Sequence, residues 1–224
     1  MLPDRLKSIF RGSGAQEGSS SLFKGKGSEK EIVSIRQSRG LEQFFSNIRD
    51  QSGLRILDMG GVCQDNVNFI TNLGHRITPQ SILQSIDEKF GGVADTDQSN
   101  QAQIESFLSE NLDYPPDTFD GVLLWDTLQF MAPPLLHAVL ERLYFIVQPK
   151  SYLLVYFNSE ERASRAPVYS FRIQDKSTIK VVEKGSRPTA QSFNNRGLEK
   201  LFGKFESVKF FLTRESLREL IVRR

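Results

Sequence analysis

A single cysteine, Cys63, stands in the whole chain, which excludes a disulfide framework within it and suits a reducing compartment. Only two histidines occur, His75 and His137, and they lie far apart in sequence, so a zinc site is not expected. No apolar stretch approaches the roughly 20 residues of a membrane span. The opening MLPDRLKSIF has no continuous apolar segment before a cleavage-like site, so no secretory signal is expected. An excess of one charge is missing too. The 29 basic and 27 acidic residues leave a net +2, which gives no strong nucleic-acid signal, although basic residues crowd toward both ends. The expectation is a cytoplasmic protein. Three phosphate- or nucleophile-bearing glycine motifs are also absent. From Gly60, the second and third places of G-x-G-x-x-G fall on Val62 and Asp65, and neither a P-loop nor G-x-S-x-G occurs.

What is present is enough chain, 224 residues, for one sizeable core. Residues 11–30 are rich in Gly, Ser and charge, so residues 1–30 read as a flexible basic arm and 31–224 as the folded domain. Leu2, Leu6, Ile9 and Phe10 can line one face of a short basic helix, a route to surface association, or form a frayed terminus. From Glu31, the spacing of Ile32, Ile35, Leu41, Phe44, Phe45 and Ile48 predicts amphipathic helices interrupted at Gly40. Leu54–Leu57 reads as a buried strand. Asp65 or Asn66 is expected to cap a helix ending at Gly74, and a second strand follows near Arg76–Thr78. Residues 91–103 are expected to form a loop, and 104–112 are either strand or helix. YPPDTFD is turn chemistry leading into the buried strand GVLLWD. A helix over 134–147, the strand SYLLVYF, a hairpin turning at Asp175–Ser177, and the helix LEKLFGKF come next. SVKFFLT and LRELIVRR are joined by too few residues for a parallel crossover, so they must pair antiparallel if adjacent. The alternation of strand and helix predicts a mostly parallel sheet covered on both faces.

In such a sheet, ligands bind beyond the carboxyl ends of the strands. Asp58, Gly60 and Gly61 lie in the first such loop. There, glycine allows close backbone approach and the following helix offers free N–H groups. The stretches LRILDMGGV, YPPDTFDGVLLWD and QPKSYLLVYFN, with the antiparallel final pair, resemble class I S-adenosylmethionine-dependent methyltransferases over roughly residues 35–224. The resemblance implies a three-layer α/β sandwich. Its mostly parallel seven-stranded sheet would end in an antiparallel pair, with a β-hairpin inserted. It implies S-adenosylmethionine as cofactor, with Asp58, Gly60, Gly61, Val62, Thr78, Asn111, Leu112, Trp125 and Asp126 around it. Asp126 is the first choice for a polar group near the transferred methyl.

Two departures from the family pattern stand out. Val62 and Gln64 replace glycines of L-D-x-G-x-G-x-G. RITPQSIL, with Thr78, Pro79 and Gln80, lacks the ribose-binding acid, and losing a charged bidentate acceptor costs a few kcal/mol. Beyond the fifth strand, Asn158, Glu160 and Glu161 either face an acceptor or form a solvated loop. Asn194 and Arg196 are candidates for acceptor recognition, or Asn195 caps the next helix. Two readings follow: methyl transfer to an unidentified acceptor, or a catalytically inactive methyltransferase-like binding or scaffold protein.

Overall fold

A computed structural model describes residues 32–91, 97–160, 164–211 and 217–224; the arm of residues 1–30 and Glu161 lie outside them. The elements in chain order are β1 (Val33–Gln37), α1 (Arg39–Ile48), β2 (Arg55–Asp58), α2 (Gln64–Asn72), β3 (Arg76–Pro79), α3 (Ile82–Phe90) and α4 (Gln101–Asn111). Then follow β4 (Phe119–Trp125), a 3₁₀ turn (Thr127–Phe130), α5 (Pro133–Ile146), β5 (Val147–Asn158), β6 (Arg165–Ile173), β7 (Thr178–Pro188), α6 (Asn195–Leu201), β8 (Ser207–Phe211) and β9 (Leu217–Arg223). Among the described residues, no helix is long and apolar enough to cross a membrane.

The main sheet runs β3-β2-β4-β5-β9-β8. Its first four strands are mutually parallel, while β9 is antiparallel to both β5 and β8. The expected antiparallel final pair is therefore present in a mixed, mostly parallel sheet of Rossmann-like form. The expected seven strands are six among the described residues. The segment 104–112, left open between strand and helix, is the helix α4. The Asn100 side chain caps it by accepting from Gln103 N at 3.1 Å, and Ile104 and Phe107 bury one turn apart. The helix predicted across 32–37 is also corrected. These residues form β1, an outer strand paired antiparallel with β7, and cross-strand pairing overrides the helical spacing of Ile32 and Ile35. The hairpin β6–β7 is thus part of a second, three-stranded sheet, β1-β7-β6.

Alternation along the buried strands builds three layers. Leu57, Val122 and Leu153 face a core completed by α3, α4, α5 and α6. Their neighbours Ile56, Leu123 and Leu154 face the opposite core, where α1, Ile70 of α2 and the second sheet pack. Gly40, expected to interrupt a helix, sits inside the first turn of α1. A β-carbon there would lie 2.9 Å from Leu154 Cδ1 and 3.1 Å from Glu219 Oε2, so the glycine lets α1 touch the sheet.

The chain lays β3 on one side of β2 and then β4 on the other. The strand order reverses there, which opens a crevice beyond the carboxyl ends of β2 and β4.

Candidate functional site

Asp58 ends β2 and is fully buried. Gly60 N and the Trp125 indole Nε1 donate to its Oδ1 at 2.9 and 2.7 Å, and Asn66 Nδ2 donates to its Oδ2 at 3.0 Å. Burial raises the Asp58 pKa, and these donors oppose the rise. Asn66 was a candidate helix cap; instead it lies inside α2, facing inward. Its Nδ2 also donates to Phe171 O at 3.1 Å, and its Oδ1 accepts from Ile173 N at 2.8 Å, which ties the hairpin to the first loop. Cys63 holds the N-cap position with no side-chain cap.

The indole of Trp125 stacks on Phe171 at 5.0 Å with 6° between planes. A β-carbon on Gly60 would meet its Cδ1 at 2.7 Å. The close approach that glycine permits is thus made by this chain's own tryptophan. Gly61 has φ +90, and its missing β-carbon leaves room for Ser81 Oγ, 2.9 Å from that position. Val62 is exposed.

Beside the indole lies a cavity of about 250 Å³, floored by Met59, Gly60 and Asp126 and covered by Val168–Phe171 and Lys184 of the second sheet. Asp126 is 2% exposed, and its Oδ2 has no hydrogen-bond partner. Burial pushes its pKa up to about 7, against backbone N–H groups of Asp126 itself and Tyr169. A carboxylate so placed suits a cationic group or a transferable proton.

Of the residues predicted from sequence, Gly60, Trp125 and Asp126 line this cavity. Thr78 pairs in register with Leu57, half-buried on β3. Gln80 Nε2 donates to Asn111 Oδ1 at 2.8 Å, so these two amides meet beyond the end of β3. Leu112 is fully buried in the core on the α4 side. Asn158 takes up local loop contacts: its N–H donates to Gln129 Oε1 at 2.9 Å, and its Oδ1 accepts from Glu160 N at 3.1 Å. Asn194, rather than Asn195, caps α6 by accepting from Gly197 N at 2.7 Å. Arg196 is exposed on that helix, and none of Asn158, Asn194 and Arg196 lines the cavity. Sequence reasoning missed Met59, Ser81 and the hairpin residues over the cavity. The one available signal was a polar Asn66 on the same helical stripe as Ile70. Among the described residues, no three His, Cys, Asp or Glu side chains converge to hold a metal.

No protein-family model matches the chain, and no curated protein matches its sequence. Among solved structures, the chain is similar to an S-adenosylmethionine-dependent methyltransferase from Archaeoglobus fulgidus at 14% identity, covering 82% of this chain and 91% of that chain, with a TM-score of 0.47. It is similar to another from Mesorhizobium loti at 12% identity, covering 81% and 96%, with a TM-score of 0.44. A third is the Burkholderia thailandensis 1,6-didemethyltoxoflavin-N1-methyltransferase with bound 1,6-didemethyltoxoflavin and S-adenosylhomocysteine, at 12% identity, covering 82% and 74%, with a TM-score of 0.42.

Proposed function

We propose that the chain is a methyltransferase of the class I type that takes S-adenosylmethionine into the crevice beyond β2 and β4. The supporting observation is Asp126, a buried carboxylate with an unpartnered oxygen at the end of β4, lining the cavity. It suits the cationic amino or sulfonium end of that cofactor. The ribose end is served less well: Thr78, Pro79 and Gln80 supply no carboxylate, and Gln80 is engaged with Asn111. Affinity is therefore expected to be modest. When bound, the cofactor supplies a methyl group already activated by its sulfonium, so the chain's residues need chiefly to orient the partners. The hairpin β6–β7, which covers the cavity, is the natural element for recognising the acceptor.

A second reading, a binding or scaffold module without catalysis, is favoured by the Trp125 indole filling the space against Gly60 and by the internal donors around Asp58. Calorimetric titration with S-adenosylmethionine and S-adenosylhomocysteine separates the two. Methyl transfer predicts binding of S-adenosylmethionine that strengthens as pH rises through about 7, where Asp126 ionises. It also predicts roughly tenfold weaker binding in Asp126→Asn, as for loss of a hydrogen bond to a charged group. No heat and no thermal stabilisation by millimolar ligand, from folded protein, would leave the second reading.

A further inference from the structure

We propose that the outer strand β1 is a self-pairing edge, on which a second copy of this chain adds its own β1 antiparallel about a twofold axis at Ile35. Nothing in this pairing depends on the chemistry of the crevice.

Exposed side chains and main-chain geometry both mark the strand. Ile32, Val33 and Ile35 are 66%, 47% and 71% exposed, and the only other large apolar side chains so exposed among the described residues are Val62 and Phe145. Ile32 O accepts from Glu183 N at 3.0 Å, and Ser38 N donates to Ser177 O at 2.7 Å. Hydrogen-bonded pairs alternate along an antiparallel ladder, so in this register Ser34 and Arg36 bond to β7. Val33, Ile35 and Gln37 therefore turn N–H and C=O outward, and no main-chain bond to another described residue engages them.

The other outer strands are guarded. β3 is four residues long, with Arg76 at its start and Pro79 at its end. β8 carries Lys209. β6 carries Arg165, Pro167 and Arg172, has a register shift between Pro167 and Tyr169, and lends Phe171 O and Ile173 N to Asn66. Such charges, prolines and bulges keep sheet edges from pairing. β1 has no proline and no register shift, and its outward positions carry no charge.

The sequence of β1 suits a second copy of itself. With Ile35 opposite Ile35 of the second copy, Val33 lies opposite Gln37, and Ser34 opposite Arg36. Every outward-turned residue then meets another, and each such pair exchanges both main-chain hydrogen bonds. No like charges stand opposite. Ser34 Oγ already accepts from Arg36 Nε at 3.1 Å within the strand, a contact that the second copy offers as well. The net charge of +2 sets up little repulsion between copies. A contact this short falls below the ~1,200 Å² of a standard interface, so the dimer is weak and concentration-dependent. It continues the second sheet, whose β6 covers the cavity, across both copies.

Sedimentation equilibrium of the full chain between about 10 µM and about 1 mM follows the association. The expected mass climbs from 25.5 kDa toward twice that value, and stays at the lower value in Ile35→Lys, which sets like charges across the axis. Ile35 is exposed, so this variant should keep the parent's thermal midpoint in dilute solution. Amide exchange then reads the register. On association, the N–H groups of Val33, Ile35 and Gln37 should slow roughly tenfold when about nine-tenths of the chain is paired, while those of Ser34 and Arg36 stay as protected as before. A monomer throughout overturns the proposal. So does a dimer that persists in Ile35→Lys or leaves those amides unchanged, since it then forms on another surface. Protection of those amides that does not vary with concentration overturns it too, by giving the edge to another part of the same chain.

Discussion

At Gly60 a methyl group would enter the van der Waals space of the Trp125 indole, with neighbours at 2.7 and 2.9 Å. The ring cannot yield without losing its hydrogen bond to Asp58, its stack on Phe171, or both. Gly60→Ala is therefore expected to destabilise the fold by ~1–3 kcal/mol, the range for overpacking a tight site. A urea titration followed by tryptophan emission measures this, and an unchanged midpoint would show that the indole does not press on Gly60. The sequence marked Asp58, Gly60, Trp125 and Asp126 as site candidates because they end strands or begin the loops after them. It did not show that Trp125 and Asp58 bond to each other, a contact between residues 67 positions apart.

At the scale of elements, Asn66 joins α2, β2 and β6. Truncating it leaves Ile173 N and Phe171 O without this side-chain partner inside the protein and removes one donor from Asp58. Asn66→Ala is expected to cost ~3 kcal/mol or more, since each buried polar group left unsatisfied costs about 1–3 kcal/mol. The loss should be local first. Amide exchange in β6 and β7 should accelerate in this variant, while β4 and β5 keep their protection; uniform acceleration would mean that the two sheets unfold as one unit. The hairpin itself was legible from two apolar runs around Asp175–Ser177. Its docking over the crevice was not, because Phe171 and Asn66 carry no local pattern linking them. On the same face, Ser38 Oγ meets Tyr156 OH at 2.7 Å and donates to Glu219 Oε2 at 3.0 Å. This buried cluster assembles residues from three distant parts of the chain.

For the whole molecule, the two crevice carboxylates set a pH dependence of defined sign. Asp58 and Asp126 both have raised folded pKa values, the second rising from 3.8 to about 7. The folded state thus keeps protons that the unfolded chain has already released. The stability this provides is fully present below pH 3.8 and is lost as pH rises through the folded values. Asp126→Asn removes one of these contributions. Relative to the parent chain, it should gain up to ~4 kcal/mol above pH 8, three pKa units at about 1.36 kcal/mol each, and little near pH 4. Exposed Asp97 and Asp175, held low by Ser99 and Ser177, act in the opposite sense at acid pH and are common to both chains. The difference between the two stability curves therefore isolates Asp126. A constant difference across this range would show that Asp126 does not titrate with a raised pKa.

The sequence by itself determined the layered α/β plan. Buried parallel strands need continuous apolar runs such as GVLLW and YLLVYF, and helices need their own period, so both signals are local. The antiparallel sense of the last two strands, should they be neighbours, also followed locally from the short connection between them, and the structure supplied the pairing itself. Tertiary structure alone decided three things. It made 33–37 a strand, because β7 supplies a partner that local spacing does not reveal. It gave the main sheet six strands among the described residues, and it made 104–111, within the segment that had two readings, part of the helix α4. It also closed the glycine loop with Trp125 and the hairpin, since hydrogen bonds and ring stacking across 46 to 107 residues depend on three-dimensional proximity and leave no periodic trace in the chain.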